Sequence, residues 1–291
     1  MKLVTFIHRN TTRIGVVVDD EVVDLSVAAP TLPREMTALL AAGDAALAQA
    51  RAAAATAGER LLLRDVSLEA PILRPPKFLA IGLNYADHVA ESGQQTPAVP
   101  TFFNKQSTCV TGPYAPIHLP RVSGMLDYEA ELGFVIGRRC RHVPKERAHE
   151  VIAGYLIVDD VTVRDWQFRS PTWTLGKSFD THGPIGPWLV TPDEIGDPHT
   201  LDIRTWVNDE LRQASNTRQL IFDCYAQVEH LSTAFTLEPG DIVSTGTPAG
   251  VGAAMQPPRF LVPGDVVRIE IARIGHIANR VIDEPADTAQ L

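Results

Sequence analysis

Leu126-Asp127-Tyr128-Glu129-Ala130-Glu131-Leu132-Gly133-Phe134-Val135-Ile136-Gly137 reads as a β-strand that carries acids where a strand has little use for them. Side chains alternate faces along a strand, so Tyr128, Ala130, Leu132 and Phe134 share one face, and Asp127, Glu129 and Glu131 share the other. Neighbouring carboxylates on one face lie about 6–7 Å apart. At an effective dielectric of ~20 they repel by roughly 2–3 kcal/mol, before any cost of desolvation. A divalent cation turns that repulsion into binding, and an all-oxygen donor set suits a hard ion such as Mg²⁺, Mn²⁺ or Ca²⁺ rather than zinc. The pattern fits equally an edge strand with one solvated acidic face.

Outward from that stretch, 291 residues suffice for one large domain with a small appendage or for two modest domains. With 45% hydrophobic and 21% charged residues the chain can bury a core. A formal net charge of −9 argues against a nucleic-acid partner. Cys109, Cys140 and Cys224 show neither pairing nor metal-ligand spacing, as expected in a reducing cytosol. Met1–Phe6 lacks the apolar run of a secretory signal, and no window could span a bilayer. A cytoplasmic protein without a membrane partner is expected, and the sequon at Asn10-Thr11-Thr12 is then a chance match.

Residues 2–7 and 13–25 read as short strands that turn at Asp19-Asp20, and helical spacing of Met36, Leu39, Leu40 and Leu47 predicts helix from about Pro33 to Gly58. Prolines 71, 75 and 76 then punctuate the chain, which places a small N-terminal α/β domain at 1–70 and a catalytic domain at 71–291. In the latter, strands are expected at Phe78–Gly82, Glu129–Ile136, Val151–Val158, Trp188–Val190, Leu201–Val207, Asp241–Ser244 and Val266–Ile271, with a helix at Phe222–Ala234. Many strands and few helices make the fold class mixed α/β and β-rich, a roll or barrel-like body rather than a doubly wound sheet.

Four further segments carry chemistry. Tyr155-Leu156-Ile157-Val158-Asp159-Asp160 is an apolar strand ending in acids, which either form a turn or converge on Glu129 and Glu131. In Gly82–Glu91, a helical turn from Tyr85 would put His88 and Glu91 at i and i+3. A carboxylate beside an imidazole raises its basicity and fixes its tautomer, as a water-activating base requires, although surface His–Glu pairs are also common on helices. Gly176-Lys177-Ser178 lacks the upstream glycine of a phosphate loop, since that position is Pro171. Lys177 is therefore a solvated loop lysine, or, in a metal cleft, the group that neutralises a substrate carboxylate or enolate. Thr245-Gly246-Thr247-Pro248-Ala249-Gly250-Val251-Gly252 is a tight turn whose amides and hydroxyls can hold an anion.

Together, the blocks Gly82–Glu91, Asp127–Gly137, Val158–Gln167, Gly176–Trp188, Asn208–Asp223 and Thr245–Gly252 resemble, in order and over nearly the whole chain, the fumarylacetoacetate hydrolase (FAH) family, in its shorter bacterial-type branch. The resemblance implies an FAH-type mixed β-sandwich roll with a small N-terminal α/β domain, assembled as a homodimer. It implies Glu129, Glu131 and Asp160 as ligands of Mg²⁺ or Mn²⁺, with Ca²⁺ as a substitute. His88 and Glu91 match the water-activating dyad, and Lys177 the charge-neutralising lysine. Lys105, Gln167, Thr247 and Gly246 match positions around the substrate cleft. Arg164 stands either as a clamp for a second substrate carboxylate or as a structural ion-pair partner. Ser92–Pro97 is expected to cover the acyl end of the substrate.

The implied reaction is hydrolysis of a carbon–carbon bond in a 2,4-dioxo (acylpyruvate-like) acid, in which His88 deprotonates water and Lys177 neutralises the departing pyruvate enolate. Decarboxylation of an oxaloacetate-like β-oxo acid, or keto–enol isomerisation of a 2-oxo acid, would use the same site. A non-catalytic metal- or ligand-binding protein is disfavoured, because every functional side chain sought is present.

Overall fold

The valine runs flanking Asp19-Asp20 form a meander, and Asp19 takes the left-handed φ of 52° that the tight turn requires. The structure, a computed structural model, describes residues 1–286. Its meander consists of β1 (Lys2–His8), β2 (Thr11–Val18) and β3 (Glu21–Asp24), antiparallel throughout. The helical segment expected from Pro33 to Gly58 divides into α1 (Met36–Ala41) and α2 (Gly43–Thr56), broken where Gly43 adopts φ 75°. Ala46, Ala50 and Ala54 form the buried stripe of α2, small side chains at i and i+4 that let the helix lie close to the sheet.

The rest of the chain adds β4 (Phe78–Gly82), β5 (Thr101–Lys105), β6 (Ile117–Leu119), β7 (Ala130–Ile136), β8 (Ile152–Asp159) and β9 (Gly183–Val190). These are followed by β10 (Asp202–Val207), β11 (Glu210–Asn216), β12 (Ile242–Ser244), β13 (Val266–Ile271) and β14 (Gly275–Asp283). Helix α3 (Ala86–Ser92) follows β4, and α4 (Cys224–Ala234) precedes β12. The large sheet runs β3–β2–β1–β9–β8–β7–β12–β4–β5, antiparallel except between β12 and β4. The second sheet runs β11–β10–β13–β14–β6. The body is thus a mixed α/β, strand-rich sandwich roll, as expected.

One face of the large sheet packs Val135, Leu156 and Leu189 against Leu39 and Leu40 of α1 and the alanines of α2. The other packs Leu132, Phe134 and Ile157 against Ile203, Val267, Ile269 and Ile277 of the second sheet. Strand β7 is therefore buried on both faces, between β8 and β12, and the edge-strand reading of its acids is wrong. The strand also starts later than alternation predicts. Leu126–Asp127 pairs separately with Thr162–Val163, Tyr128 and Glu129 lie outside both ladders, and the strand resumes at Ala130. Glu129 gives its amide to Asp159 Oδ1 and its carbonyl accepts from the Asp160 amide, bonds that fix the break. Asp127 consequently does not share a carboxylate face with Glu129 and Glu131.

Strands β5, β6, β11 and β14 were not expected from the sequence. In β14 the inward residues are Ile277, Asn279 and Val281, so a buried amide interrupts the apolar alternation. Among the described residues no helix is long and apolar enough to cross a membrane.

Gly154 lies opposite Val135 in the β7–β8 ladder, and a Cβ there would meet Val190 O at 2.5 Å and Leu189 Cδ1 at 3.0 Å. Gly154→Ala should destabilise the protein by about 1–3 kcal/mol, read as a lower urea midpoint. Gly58→Ala, where a Cβ meets nothing within 4 Å, should leave the midpoint in place. Equal midpoints for the two variants would contradict the packing described.

Candidate metal centre and cavity

The break before β7 and the end of β8 bring three acids together. Glu129, Glu131 and Asp160 each offer a carboxylate oxygen within 4.8 Å of the others. They are 6%, 1% and 0% exposed, so the charge is buried and must be compensated. Lys177 Nζ donates to Glu129 Oε2 at 2.7 Å and to Asp160 Oδ2 at 2.8 Å. Lys105 Nζ donates to Asp160 Oδ1 at 2.7 Å and to the Lys177 carbonyl. Arg164 Nη1 lies 2.6 Å from Glu129 Oε1, while its Nε donates to Asp127 Oδ2 at 2.8 Å. Glu131 instead accepts from neutral donors, Ser244 Oγ at 2.5 Å and the Gly246 amide at 2.8 Å.

The electrostatics follow from this division. Burial raises the Glu129 pKa, but Lys177 and Arg164 outweigh it and pull the carboxyl down to about 2. At Glu131, burial and the adjacent Asp160 and Glu129 charges act together and push the carboxyl well above the usual range. Asp159 behind them is raised to about 8, chiefly by burial, against the opposing bond from the Glu129 amide. For Lys105, burial favours the neutral form, yet the Asp160 carboxylate overrides it and the pKa is raised. Glu131 thus has no cation in direct contact, and the Lys177 charge that its two neighbours hold reaches it only at a distance. A hard divalent cation fits this site: the donors are all oxygen, they converge, and the acid short of charge compensation is among them. Zinc's usual cysteine and histidine donors are not part of the set.

The triad adjoins a cavity of about 570 Å³ lined by Glu129, Glu131, Lys177, Arg164, Gln167 and Thr247, and also by His88 and Glu91 of α3. His88 Nδ1 lies 3.2 Å from Glu91 Oε2, the i,i+3 pair on one helical face. The Gly250 amide donates to both Glu91 oxygens, at 3.0 and 3.2 Å, which fixes the carboxylate. Asp87 steadies the start of the helix: Oδ1 accepts from the His88 amide at 2.8 Å and Oδ2 from Ser215 Oγ at 2.5 Å. Just upstream, buried Asn84 bonds the Phe222 and Thr245 carbonyls and the Phe222 amide. Gly246 runs so close to it, at φ 99°, that a Cβ would lie 2.8 Å from Asn84 Cβ. Thr247 Oγ1 donates to the Ala130 carbonyl at 2.9 Å and accepts from Gln213 Nε2 at 2.8 Å.

Of the residues singled out in the sequence, Arg164, Gln167, Thr247, His88, Glu91 and Lys177 line the cavity with Glu129 and Glu131. Lys105 is 3% exposed and lies against Asp160, and Gly246 gives its amide to Glu131, so these two buttress the triad rather than face the cavity. The Arg164 guanidinium is held by Asp127, Glu129 and Gln167 Oε1, which is the ion-pair alternative rather than the free clamp. Ser244, Asn84 and Gln213 belong to the site and were not foreseen, and Asp127, placed by alternation on the acid face, serves instead as a partner of Arg164. Ser244 lies 113 residues from Glu131, a partnership without a local sequence signal.

The sequence pattern described as Fumarylacetoacetate (FAA) hydrolase C-terminal matches residues 77–282. The mitochondrial oxaloacetate tautomerase fahd2 of Xenopus laevis is 43% identical, over 97% of this chain and 90% of that protein. Fumarylacetoacetate hydrolase from psychrophilic Exiguobacterium antarcticum superposes with a TM-score of 0.86 at 35% identity, covering 98% of this chain and 100% of that one. Maleylpyruvate hydrolase from Sphingobium sp. SYK-6, solved with manganese(II) and pyruvate, gives a TM-score of 0.83 at 35% identity and the same coverage.

Lys177→Met removes the cation shared by Glu129 and Asp160 and leaves two buried carboxylates facing each other. The metal-free variant should lose about 3–5 kcal/mol of stability. Added Mn²⁺ should raise its melting temperature more than that of the parent protein. Unchanged melting in EDTA would contradict the charge balance described.

Proposed function

Since the chain belongs to the fumarylacetoacetate hydrolase family, we propose that it is a divalent-metal enzyme that hydrolyses a carbon–carbon bond in a 2,4-dioxo acid, yielding pyruvate and a carboxylic acid. The observation that carries this reading is a histidine–carboxylate pair, His88 and Glu91, sharing one cavity with Lys177 and with Glu129 and Glu131 of the buried acid triad. Mg²⁺ or Mn²⁺ held by Glu129, Glu131 and Asp160 would supply Lewis acidity toward the oxygens of the substrate. With Nδ1 committed to Glu91, His88 uses Nε2 to take a proton from the attacking water. Lys177 Nζ stabilises the negative charge that accumulates as pyruvate departs as its enolate. His88 then returns the proton to carbon. Gln167 and Thr247 line the cavity where the substrate is held. A homodimer, implied by the family, is part of the same proposal.

A second reading has its own support. The 43% identity to an oxaloacetate tautomerase favours keto–enol interconversion of a 2-oxo acid, in which His88 moves a proton between carbon and oxygen and no water attacks. Both readings share the enolate and the residues around it; they differ in the fate of the carbon–carbon bond.

Acetylpyruvate and oxaloacetate separate them. Hydrolysis predicts pyruvate and acetate from acetylpyruvate, abolished by EDTA and restored by Mg²⁺ or Mn²⁺. Enol–keto conversion of oxaloacetate, with acetylpyruvate left intact, would replace hydrolysis by tautomerisation. Within the site, Glu131→Gln imitates the protonated acid, so the fold should survive while metal affinity and turnover fall at least about a hundredfold. His88→Ala should keep the metal and lose about 10²–10⁴ in kcat. Normal hydrolysis by His88→Ala would remove the dyad from the mechanism.

A further inference from the structure

We infer that the far end of the cavity accepts an uncharged, apolar group, so that the favoured substrate is a 2-oxo acid carrying an alkyl or aryl acyl chain rather than a second carboxylate. The inference rests on reading the site as one for 2-oxo acids, and adds what lies beyond the reacting carbons.

Charge disfavours a second carboxylate in the cavity. Among the described residues lining the cavity, the permanent cations are Lys177 and Arg164. Lys177 is held by Glu129 and Asp160, and Arg164 by Asp127, Glu129 and Gln167. A second substrate carboxylate would enter without a cation to receive it, at the full cost of desolvation. It would also meet acids. Besides Glu129 and Glu131, Glu91 and Asp165 line the cavity; Glu91 is fixed by Gly250, and Asp165 accepts from Ser123 Oγ at 2.6 Å and pairs with Arg169 at 3.6 Å.

The cavity surface favours an apolar group. Met125, Phe168, Trp173, Val251 and Phe260 contribute to the wall, while the Phe103 ring lies 5.2 Å from Lys177 Nζ, nearer the reacting end. Phe168 is 72% exposed and Met125 38% exposed, apolar area that a ligand in the cavity could cover. Trp173 is seated rather than splayed. It takes a left-handed φ of 61°, meets the Phe103 ring edge-on at 5.6 Å between centroids, and lies where a Cβ on Gly82 would come within 2.3 Å of its Cζ3. The glycine leaves the space that the indole fills. A volume of about 570 Å³ belongs to the range of pockets for drug-sized ligands, larger than a four-carbon acid requires.

The test compares acetylpyruvate, hexanoylpyruvate and benzoylpyruvate with the dicarboxylates fumarylpyruvate and succinylpyruvate, using the Mn²⁺-loaded protein. From acetylpyruvate to benzoylpyruvate kcat/KM should rise at least about tenfold, and the dicarboxylates should fall below acetylpyruvate. Dicarboxylates turned over best would overturn the inference. Binding is measured alongside, with 2-oxo-4-phenylbutanoate against 2-oxoglutarate, neither of which has a 4-oxo group to support hydrolysis. The phenyl acid should bind at least about tenfold tighter. If 2-oxoglutarate binds tighter while turnover persists, the inference alone falls; if neither acid binds, the 2-oxo-acid reading falls with it. Met125→Arg places a cation on this wall and should raise the ratio of fumarylpyruvate to benzoylpyruvate kcat/KM at least about tenfold. An unchanged ratio would overturn the assignment of the far end to this wall.

Discussion

The ammonium of Lys177, bonded at once to Glu129 and Asp160, is the interaction on which the site depends. Isolated carboxylates at this depth would cost several kcal/mol each or take up protons. Lys177 bridges two of them, assisted by Arg164 on Glu129 and Lys105 on Asp160. Glu131 receives hydrogen bonds from Ser244 and Gly246 with no cation in contact, and burial together with the neighbouring Asp160 and Glu129 charges raises its affinity for protons. The arrangement suits a dication: three buried acids converge, and the one without a contacting cation is held in place by neutral donors.

The sandwich supplies the rigidity this requires. Strand β7 is packed on both faces, so Glu131 has little freedom, and the break at Tyr128 and Glu129 turns the second acid toward the end of β8, where Asp160 begins the next turn. Two polar threads tie the surrounding loops to this frame. Gln213 accepts from the Ala130 amide and donates to Thr247, joining the second sheet to β7 and the glycine turn. Asn84 joins the entry to α3 to the segments at Phe222 and Thr245. The base on α3 is thus positioned by bonds to several distant parts of the chain, while His88 and Glu91 themselves are only half-buried.

Local features of the site were legible in the sequence. Alternation put Glu129 and Glu131 in one group, and helical spacing paired His88 with Glu91. Alternation failed at Asp127, because it presumes an unbroken strand, and the break is made by Asp159 and Asp160 bonding the backbone of Glu129 from thirty residues away. It also left open whether the acids were solvated, which depends on the strands flanking β7 rather than on β7 itself. Lys105 was expected at the cleft and lies against Asp160, since a lysine's place depends on which carboxylate it reaches across the fold. Residues such as Ser244 and Gln213 are ordinary in local context and acquire their roles only through long-range pairing. Strand β11 was missed for a related reason: Glu210–Asn216 is largely polar, and its inward glutamine bonds rather than packs.

The most direct test of the central claim is a titration of EDTA-treated protein with Mn²⁺, with free ion followed by electron paramagnetic resonance and turnover of a 2,4-dioxo acid measured in the same samples. The account predicts one saturable ion per chain, turnover rising in proportion to bound ion, and loss of both in Glu131→Gln. Full turnover by the metal-free protein, or saturable binding unaffected by Glu131→Gln, would contradict it.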